Sequence, residues 1–427
     1  MSAPRIGFAG LTHLGINSAA AALARGFRVV GYDANKRTVE ALSRGKAPVS
    51  EPGLDEILRS RIRHAVFTSD ASRLGDCDLV FISADVSTDD EGRSELGSIR
   101  QSIHQVIPCL GKKAVLIVLC QVPPGFTRAL EFPAARRYYQ VETLVFGRAV
   151  ERALHPERFI VGCADPAKPL PEAYRRFLAA FKCPVLPMRY ESAELAKIAI
   201  NCCLVSSVSV ANTLAELCEG LGAVWSEIAP ALKLDRRIGP HAYLSPGLGI
   251  AGGNLERDLF TILNFAKELQ TDGGVVEAWI RNSRHRRDWA ARTIRKAVLD
   301  ANPGAAIAVW GLAYKENTNS TKNSPSLATI AQLPEVKFRI HDPVVRGSAV
   351  LKGKADFSEQ PLDAVRGADA LMILTPWPQY RKIPLAKIKG AMRGRVILDP
   401  CGVLDFAKAC KAGFEVHTLG RQPCSST

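Results

Sequence analysis

The chain has 427 residues, room for two or three domains, and its 47% apolar and 23% charged residues are ordinary for a soluble globular protein. No uninterrupted run of 18 apolar residues argues for a membrane span, and Met1-Ser2-Ala3-Pro4-Arg5 enters a strand at once, so neither an anchor nor a signal peptide is expected. The net charge of +14 is assigned to solvated surface and anionic small molecules rather than nucleic acid, because the densest basic run, Arg281 to Arg287, lacks interleaved aromatics. Eleven cysteines without metal-type spacing read as reduced thiols in a cytoplasmic protein.

Residues 5–33 read as strand, Gly-rich turn, helix, strand. Arg5 to Ala9 is short and apolar, Gly10-Leu11-Thr12-His13-Leu14-Gly15 is the turn, and Asn17 to Arg25 is Ala-rich and helical. Arg28 to Asp33 is a second strand ending in an acid. This is the layout of a dinucleotide-binding βαβ unit, in which Asp33 accepts from the ribose hydroxyls and thereby favours NAD over NADP. Gly10, Thr12, Leu14, Gly15, Asp33 and Arg37 form the candidate cofactor set. Thr12 stands where the fingerprint has its middle glycine. Its side chain crowds the backbone's approach to a diphosphate, while its hydroxyl offers a donor to a phosphate oxygen.

Two more strand patterns, Asp78 to Ile82 and Ala114 to Leu119, end in loops where an open α/β sheet places ligands. Those loops are Asp85-Val86-Ser87 and Cys120-Gln121-Val122-Pro123-Pro124-Gly125-Phe126-Thr127. The segment Gln140 to Ala149 contributes Glu142 and Phe146, and His155 after it reads as a solvated loop histidine. From Glu191 the pattern is strongly helical, placing Lys197 and Asn201 four residues apart on one face. Further on, Pro246-Gly247-Leu248-Gly249-Ile250-Ala251-Gly252-Gly253-Asn254-Leu255-Glu256-Arg257-Asp258 packs its glycines where a backbone must approach a ligand closely. Arg257-Asp258 is expected to open a helix that begins at Leu259. A second α/β domain starts near residue 303 with the strand Ala305 to Trp310, then Gly311-Leu312-Ala313-Tyr314-Lys315 and a helix start at Ser324-Pro325-Ser326. The tail from Gln422 to Thr427 reads as loose.

The loop Pro246–Asp258 closely resembles the active-site loop of the nucleotide-sugar dehydrogenases, the family of UDP-glucose and GDP-mannose dehydrogenases, whose pattern runs P-G-x-G-F-G-G-S-C-F-P-K-D. The resemblance spans residues 5–405. Glu51-Pro52-Gly53-Leu54, Val122-Pro123-Pro124-Gly125, His155-Pro156-Glu157-Arg158-Phe159, Asp235-Arg236-Arg237-Ile238-Gly239, Gly311-Leu312-Ala313-Tyr314-Lys315, His341-Asp342-Pro343 and Trp377-Pro378 all carry it. It implies an α/β protein with two Rossmann-like doubly wound domains joined by a helical dimerisation region: residues 1–188 for NAD, 189–300 central and helical, 301–427 for the nucleotide sugar. It also implies a homodimer acting on a nucleotide sugar, a UDP-sugar by default.

Carried over residue by residue, the resemblance makes Lys197, Asn201, Asn254 and Asp258 the catalytic set. Val86, Gln121 and Lys322 join the cofactor set. Glu142, Phe146, Arg237, Tyr243, Gly249, Gly252 and Lys315 are assigned to the substrate. The departures fall on the chemistry: Asn254 stands where the family has its nucleophilic cysteine, Gln121 where it has a threonine, Phe146 where it has a second glutamate, and Lys322 where it has an arginine. Family members that make uronic acids oxidise twice, and the second oxidation needs a thiolate to add to the aldehyde. An amide cannot do this. The expectation is therefore one reversible two-electron oxidation, or oxidation and re-reduction with epimerisation. Two alternatives stay open: a thiol from Cys120, Cys202 or Cys203 restoring the four-electron reaction, and a non-catalytic protein that binds NAD or a nucleotide sugar.

Overall fold

The computed structural model describes residues 3–86, 94–348, 351, 353 and 355–424. They separate into two compact units, Met1–Ile200 and Asn201–Thr427. The first unit is built on β1 (Arg5–Ala9), β2 (Arg28–Tyr32), β3 (Ala65–Thr68), β4 (Leu79–Ile82), β5 (Val115–Val118), β6 (Arg137–Gln140), β7 (Phe159–Cys163) and β8 (Val185–Arg189). Their order across the sheet is β3-β2-β1-β4-β5-β6-β7-β8, parallel except for the β6–β7 pair. The second unit carries β9 (Ile307–Trp310), β10 (Phe338–His341), β11 (Ala355–Phe357), β12 (Ala370–Ile373), β13 (Val396–Leu398) and β14 (Glu415–His417). These run all parallel in the order β11-β10-β9-β12-β13-β14.

Both orders reverse beside the first strand of the sheet, which is the doubly wound Rossmann arrangement and leaves a crevice at the carboxyl ends of β1 and β9. The α/β architecture expected from the sequence is therefore present twice. The central strands Leu79-Val80-Phe81-Ile82 and Ile307-Ala308-Val309-Trp310 are buried at every residue. A parallel sheet covered on both faces selects such continuous apolar runs rather than an alternating pattern.

Four expectations are corrected. The first helix spans His13–Ala24, starting four residues before Asn17, because Thr12 already takes the extended N-cap conformation. The helix after the Gly-rich loop spans Asn254–Glu268, so Asp258 lies in its second turn and is buried rather than opening it. The helix Tyr190–Leu221 is long and apolar enough to cross a membrane by length and composition; scattered Ser, Asn and Thr interrupt the apolar run without making the segment polar.

The fourth concerns the thiols and the tail. Cys410 and Cys424 form a disulfide, their Cα atoms 6.1 Å apart. Cys424 also pairs with Val416 as an isolated bridge, so the tail is held against β14 up to that residue. Ser425 to Thr427 lie outside the described residues. The two cysteines are 14 positions apart in sequence, and spacing alone gave no sign of their pairing.

Candidate active site

In the first unit, the turn between β1 and the helix His13–Ala24 is shaped by glycine. Gly10 sits at φ +96°, and a Cβ added to Gly15 would lie 1.9 Å from the Gly10 carbonyl oxygen. Neither position admits a side chain. Asp33, one residue past β2, accepts from Leu11 N at 2.7 Å and from Asn35 N at 2.8 Å. Each carboxylate oxygen thus keeps lone-pair capacity for a ligand. Arg37 is exposed in the first turn of the helix Lys36–Ser43.

Thr12 is engaged from within the protein: its Oγ1 accepts from Asp85 N at 2.7 Å. The Asp85 carboxylate in turn accepts from Leu14 N at 3.4 Å. A carboxylate therefore stands at the amino end of the first helix, the place where unsatisfied amides and the helix dipole favour an anion. Val86 is half-buried beside it, and Ser87 lies outside the described residues.

Phe146 stacks on His13 with ring centroids 4.0 Å apart. His13 Nε2 meets Glu51 Oε1 at 2.7 Å, and Glu51 also accepts from Gly147 N at 2.8 Å and Ala149 N at 3.1 Å. One buried acid thus fixes both the ring under Phe146 and the backbone that follows it. Glu142 is half-buried; desolvation pushes its carboxyl up to about 7, opposed by the charge of Lys197, the amides of Thr143 and Leu144, and Arg152. Gln121 and Lys197 are half-buried as well. Glu194, fully buried three residues before Lys197, accepts from Gly125 N at 2.6 Å and Thr127 N at 2.8 Å. It ties the loop carrying Gln121 to the helix carrying Lys197. The sequence reading passed over it, because an acid set between Glu191 and Lys197 on one helix carries no sign of its burial.

In the second unit, Asn201 Nδ2 donates to Asp258 Oδ2 at 2.5 Å, and Arg257 Nε lies 3.5 Å from Asp258 Oδ1. All three side chains are nearly or wholly buried. Asn254 is the first residue of the helix Asn254–Glu268, and Asp258 follows one turn later on the same face. The Gly-rich loop before them is bolted in place. Gly247 N donates to Asn212 Oδ1 at 2.8 Å, Ile250 N to Ser283 Oγ at 2.7 Å, and Asn323 Nδ2 to the Gly252 carbonyl at 3.0 Å. Gly249 has φ +75°, and a Cβ there would meet Ser283 O at 2.3 Å. A Cβ on Gly252 would sit 3.3 Å from the Tyr314 ring, which brings the loop beside Lys315.

Lys315 is half-buried, its Nζ 5.7 Å from the Tyr314 ring centre. Lys322, Arg237 and Tyr243 stand on the surface. Arg237 forms a 2.6 Å ion pair with Asp235 in its own loop and is not gathered around Asp258. His155 is exposed.

Three family models cover most of the chain. The NAD binding domain of the UDP-glucose/GDP-mannose dehydrogenase family matches residues 4–178, its central domain residues 191–284, and its UDP binding domain residues 308–406. A UDP-glucose 6-dehydrogenase of Pseudomonas aeruginosa is 28% identical over 96% of this chain and 96% of its own length. One from Bacillus subtilis is 26% identical over 99% of this chain and 94% of its own. Among solved structures, a UDP-glucose dehydrogenase from Pyrobaculum islandicum superposes with a TM-score of 0.82 at 27% identity, covering 93% of this chain and 94% of that one. A UDP-D-ManNAc dehydrogenase from Pyrococcus horikoshii shares the fold, with a TM-score of 0.84 at 24% identity over 98% and 99% of the two chains.

Proposed function

Since the chain belongs to the UDP-glucose/GDP-mannose dehydrogenase family, we propose that it oxidises a nucleotide sugar, a UDP-sugar first, in one reversible two-electron step with NAD. The Cβ-free turn at Gly10 and Gly15, the helix start at His13 and the open carboxylate of Asp33 suit a dinucleotide. When bound there, NAD supplies a hydride acceptor. Asp258 takes the alcohol proton directly or through water, Asn201 holds the Asp258 carboxylate in orientation, and Lys197 stabilises the developing alkoxide. Lys315, Gly249 and Gly252 receive the sugar nucleotide.

The observation that carries the single step is Asn254, one helical turn before the Asn201–Asp258 pair. Its amide offers no nucleophile for an aldehyde, so neither a thiohemiacetal nor a second hydride can follow. Cys202 is a poor substitute. Burial first, then the neighbouring charges of Asp258 and Cys203, push its thiol up to about 11, which keeps it protonated at neutral pH. Carbon oxidation therefore stops at the carbonyl, an aldehyde or a ketone, and return of the hydride to the opposite face of a ketone yields an epimer.

The exposed stripe Val210, Leu214, Leu217 and Leu221 repeats at helical spacing on Tyr190–Leu221 and fits a second copy of the chain. The test is a UDP-sugar panel with NAD, read by NADH absorbance and product analysis, with sedimentation of the same sample. One NADH per sugar consumed, or an epimer with no net NADH, at twice the chain mass is expected. Two NADH per sugar with a uronic acid would refute the single step, and a monomeric sediment would refute the pairing.

A further inference from the structure

The second unit holds a cavity of about 540 Å³ that the proposed chemistry does not use. One wall is β14 and the residues after it, the other the helix Trp289–Ile294 with the π-helical turn Arg295–Leu299 that continues it, and the tail reaching Pro423 forms the lip. Its volume is in the range of small-molecule sites, roughly 300–1,000 Å³. Glu219 lines it from the last turns of Tyr190–Leu221, eighteen residues past Asn201. At 1.5 Å per residue that is about 27 Å along the axis, so the cavity is separate from the Asn201–Asp258 pair.

Arg292, Lys296 and Arg421 bring positive charge to this cavity, Arg292 with its Nη1 already donating to the His285 carbonyl at 2.9 Å and its Nη2 3.8 Å from Glu216 Oε1. Lys296 belongs to the π turn, a rare conformation that gathers at functional sites. Arg421 is held at the lip by lying over the Phe406 ring, 4.2 Å from its centre. Two acids are also present, Glu219 filled by the protein and Glu415 holding one partner. Glu219 takes Arg286 Nη2 at 2.9 Å, Trp289 Nε1 at 3.0 Å and Gly420 N at 3.1 Å. Glu415 meets His417 Nε2 at 2.7 Å. What remains for a ligand is a cationic rim, Lys296 and Arg421 foremost, over an apolar floor at Trp289, with Pro423 at the lip.

The geometry points to a nucleotide site, and we propose that this cavity binds a nucleoside polyphosphate, its phosphates on Arg292, Lys296 and Arg421 and its ring on the floor beside Trp289. Charge-assisted hydrogen bonds to phosphate oxygens supply the affinity, and the ring distinguishes a nucleotide from inorganic pyrophosphate. The proposal holds whether or not the chain transfers hydride.

The test is calorimetry of ATP and of pyrophosphate with the full-length protein, saturated with NAD and UDP so that their own sites are closed. ATP is expected to bind once per chain and more tightly than pyrophosphate. Lys296→Glu and Arg421→Ala should each weaken ATP about tenfold or more, the effect of losing one charged contact. Lys168→Glu, an exposed change in the first unit, should leave ATP binding as in the parent. Equal affinity for ATP and pyrophosphate, or ATP binding that Lys296→Glu and Arg421→Ala leave intact, would overturn the proposal. So would a loss in Lys168→Glu equal to that in Lys296→Glu, because the attraction would then be only that of a basic chain for an anion.

Discussion

The two sheets open with the same turn and use it differently. Gly10 after β1 and Gly311 after β9 both sit at φ +96°, and an aspartate just past the second strand of each sheet accepts the next amide at 2.7 Å: Asp33 from Leu11, Asp342 from Leu312. There the likeness ends. Asp33 is half-buried and takes one further amide, that of Asn35. Asp342 is 1% exposed and also takes Ala313 N at 3.2 Å, Trp377 Nε1 at 3.2 Å, Val344 N at 2.9 Å and Val345 N at 2.8 Å. A carboxylate has about four lone-pair sites. Asp342 is filled by its own protein, while Asp33 has capacity left for ribose. An acid at the end of the second strand marks the turn; the number of donors it already holds decides whether it serves a ligand or the fold.

The largest expected effect lies on the filled side. Asp342→Ala would leave five donors without their acceptor in a buried place, costing about 3–5 kcal/mol of unfolding free energy. Urea unfolding measures it, and a loss below about 1 kcal/mol would mean the turn does not depend on that acid. On the open side, Asp33→Ala should cost only about 1 kcal/mol, for the two amides it leaves, and should weaken NAD roughly tenfold to a hundredfold by calorimetry, the worth of one or two charged hydrogen bonds. The reverse pattern, stability lost and NAD unchanged, would erase the distinction between the two aspartates.

Glu142 extends the contrast to an acid whose burial outweighs the donors around it. Its pKa in the folded protein is raised to about 7 from an ordinary 4.5, first by desolvation. A raised acid adds stability that is complete below about 4.5 and is lost as pH climbs through 7. Glu142→Gln should remove this slope and be the more stable form at pH 8, by about 1–2 kcal/mol once partial exposure is allowed for. Unfolding profiles of parent and variant that run parallel from pH 5 to 8 would contradict it.

Much of this was legible in the chain. The apolar runs at 79–82 and 307–310 announced buried parallel strands, and Gly10, Gly15 and Asp33 announced the first turn by spacing alone. The Gly-rich loop, Lys197, Asn201 and Asp258 came from resemblance. What stayed hidden is what the fold brings together from far apart in sequence. Trp377 reaches Asp342 across 35 residues, Glu194 reaches Thr127 across 67, and Asp85 reaches Thr12 across 73. None of these pairs has a period or spacing that a linear reading can test. The bond between Cys410 and Cys424 hid for another reason: it depends on a tail whose composition suggested a loose end.

Asp85 supplies the smallest and most direct test of the open side. Its carboxylate accepts from Leu14 N at 3.4 Å, at the helix start that the dinucleotide reading reserves for a diphosphate, and Thr12 holds the same loop through Asp85 N. Two like charges at about 4 Å repel by about 1 kcal/mol in a water-like surrounding. NAD binding must therefore displace or tolerate a negative charge. Asp85→Asn keeps an acceptor for Leu14 N and removes that charge, so NAD should bind about fivefold more tightly at low salt. The gain should shrink at roughly 1 M salt, where the screening length falls to about 3 Å. An affinity that is unchanged or weaker at low salt would mean that the phosphates do not approach this helix start, and the cofactor role of Leu14 and Thr12 would fall with it.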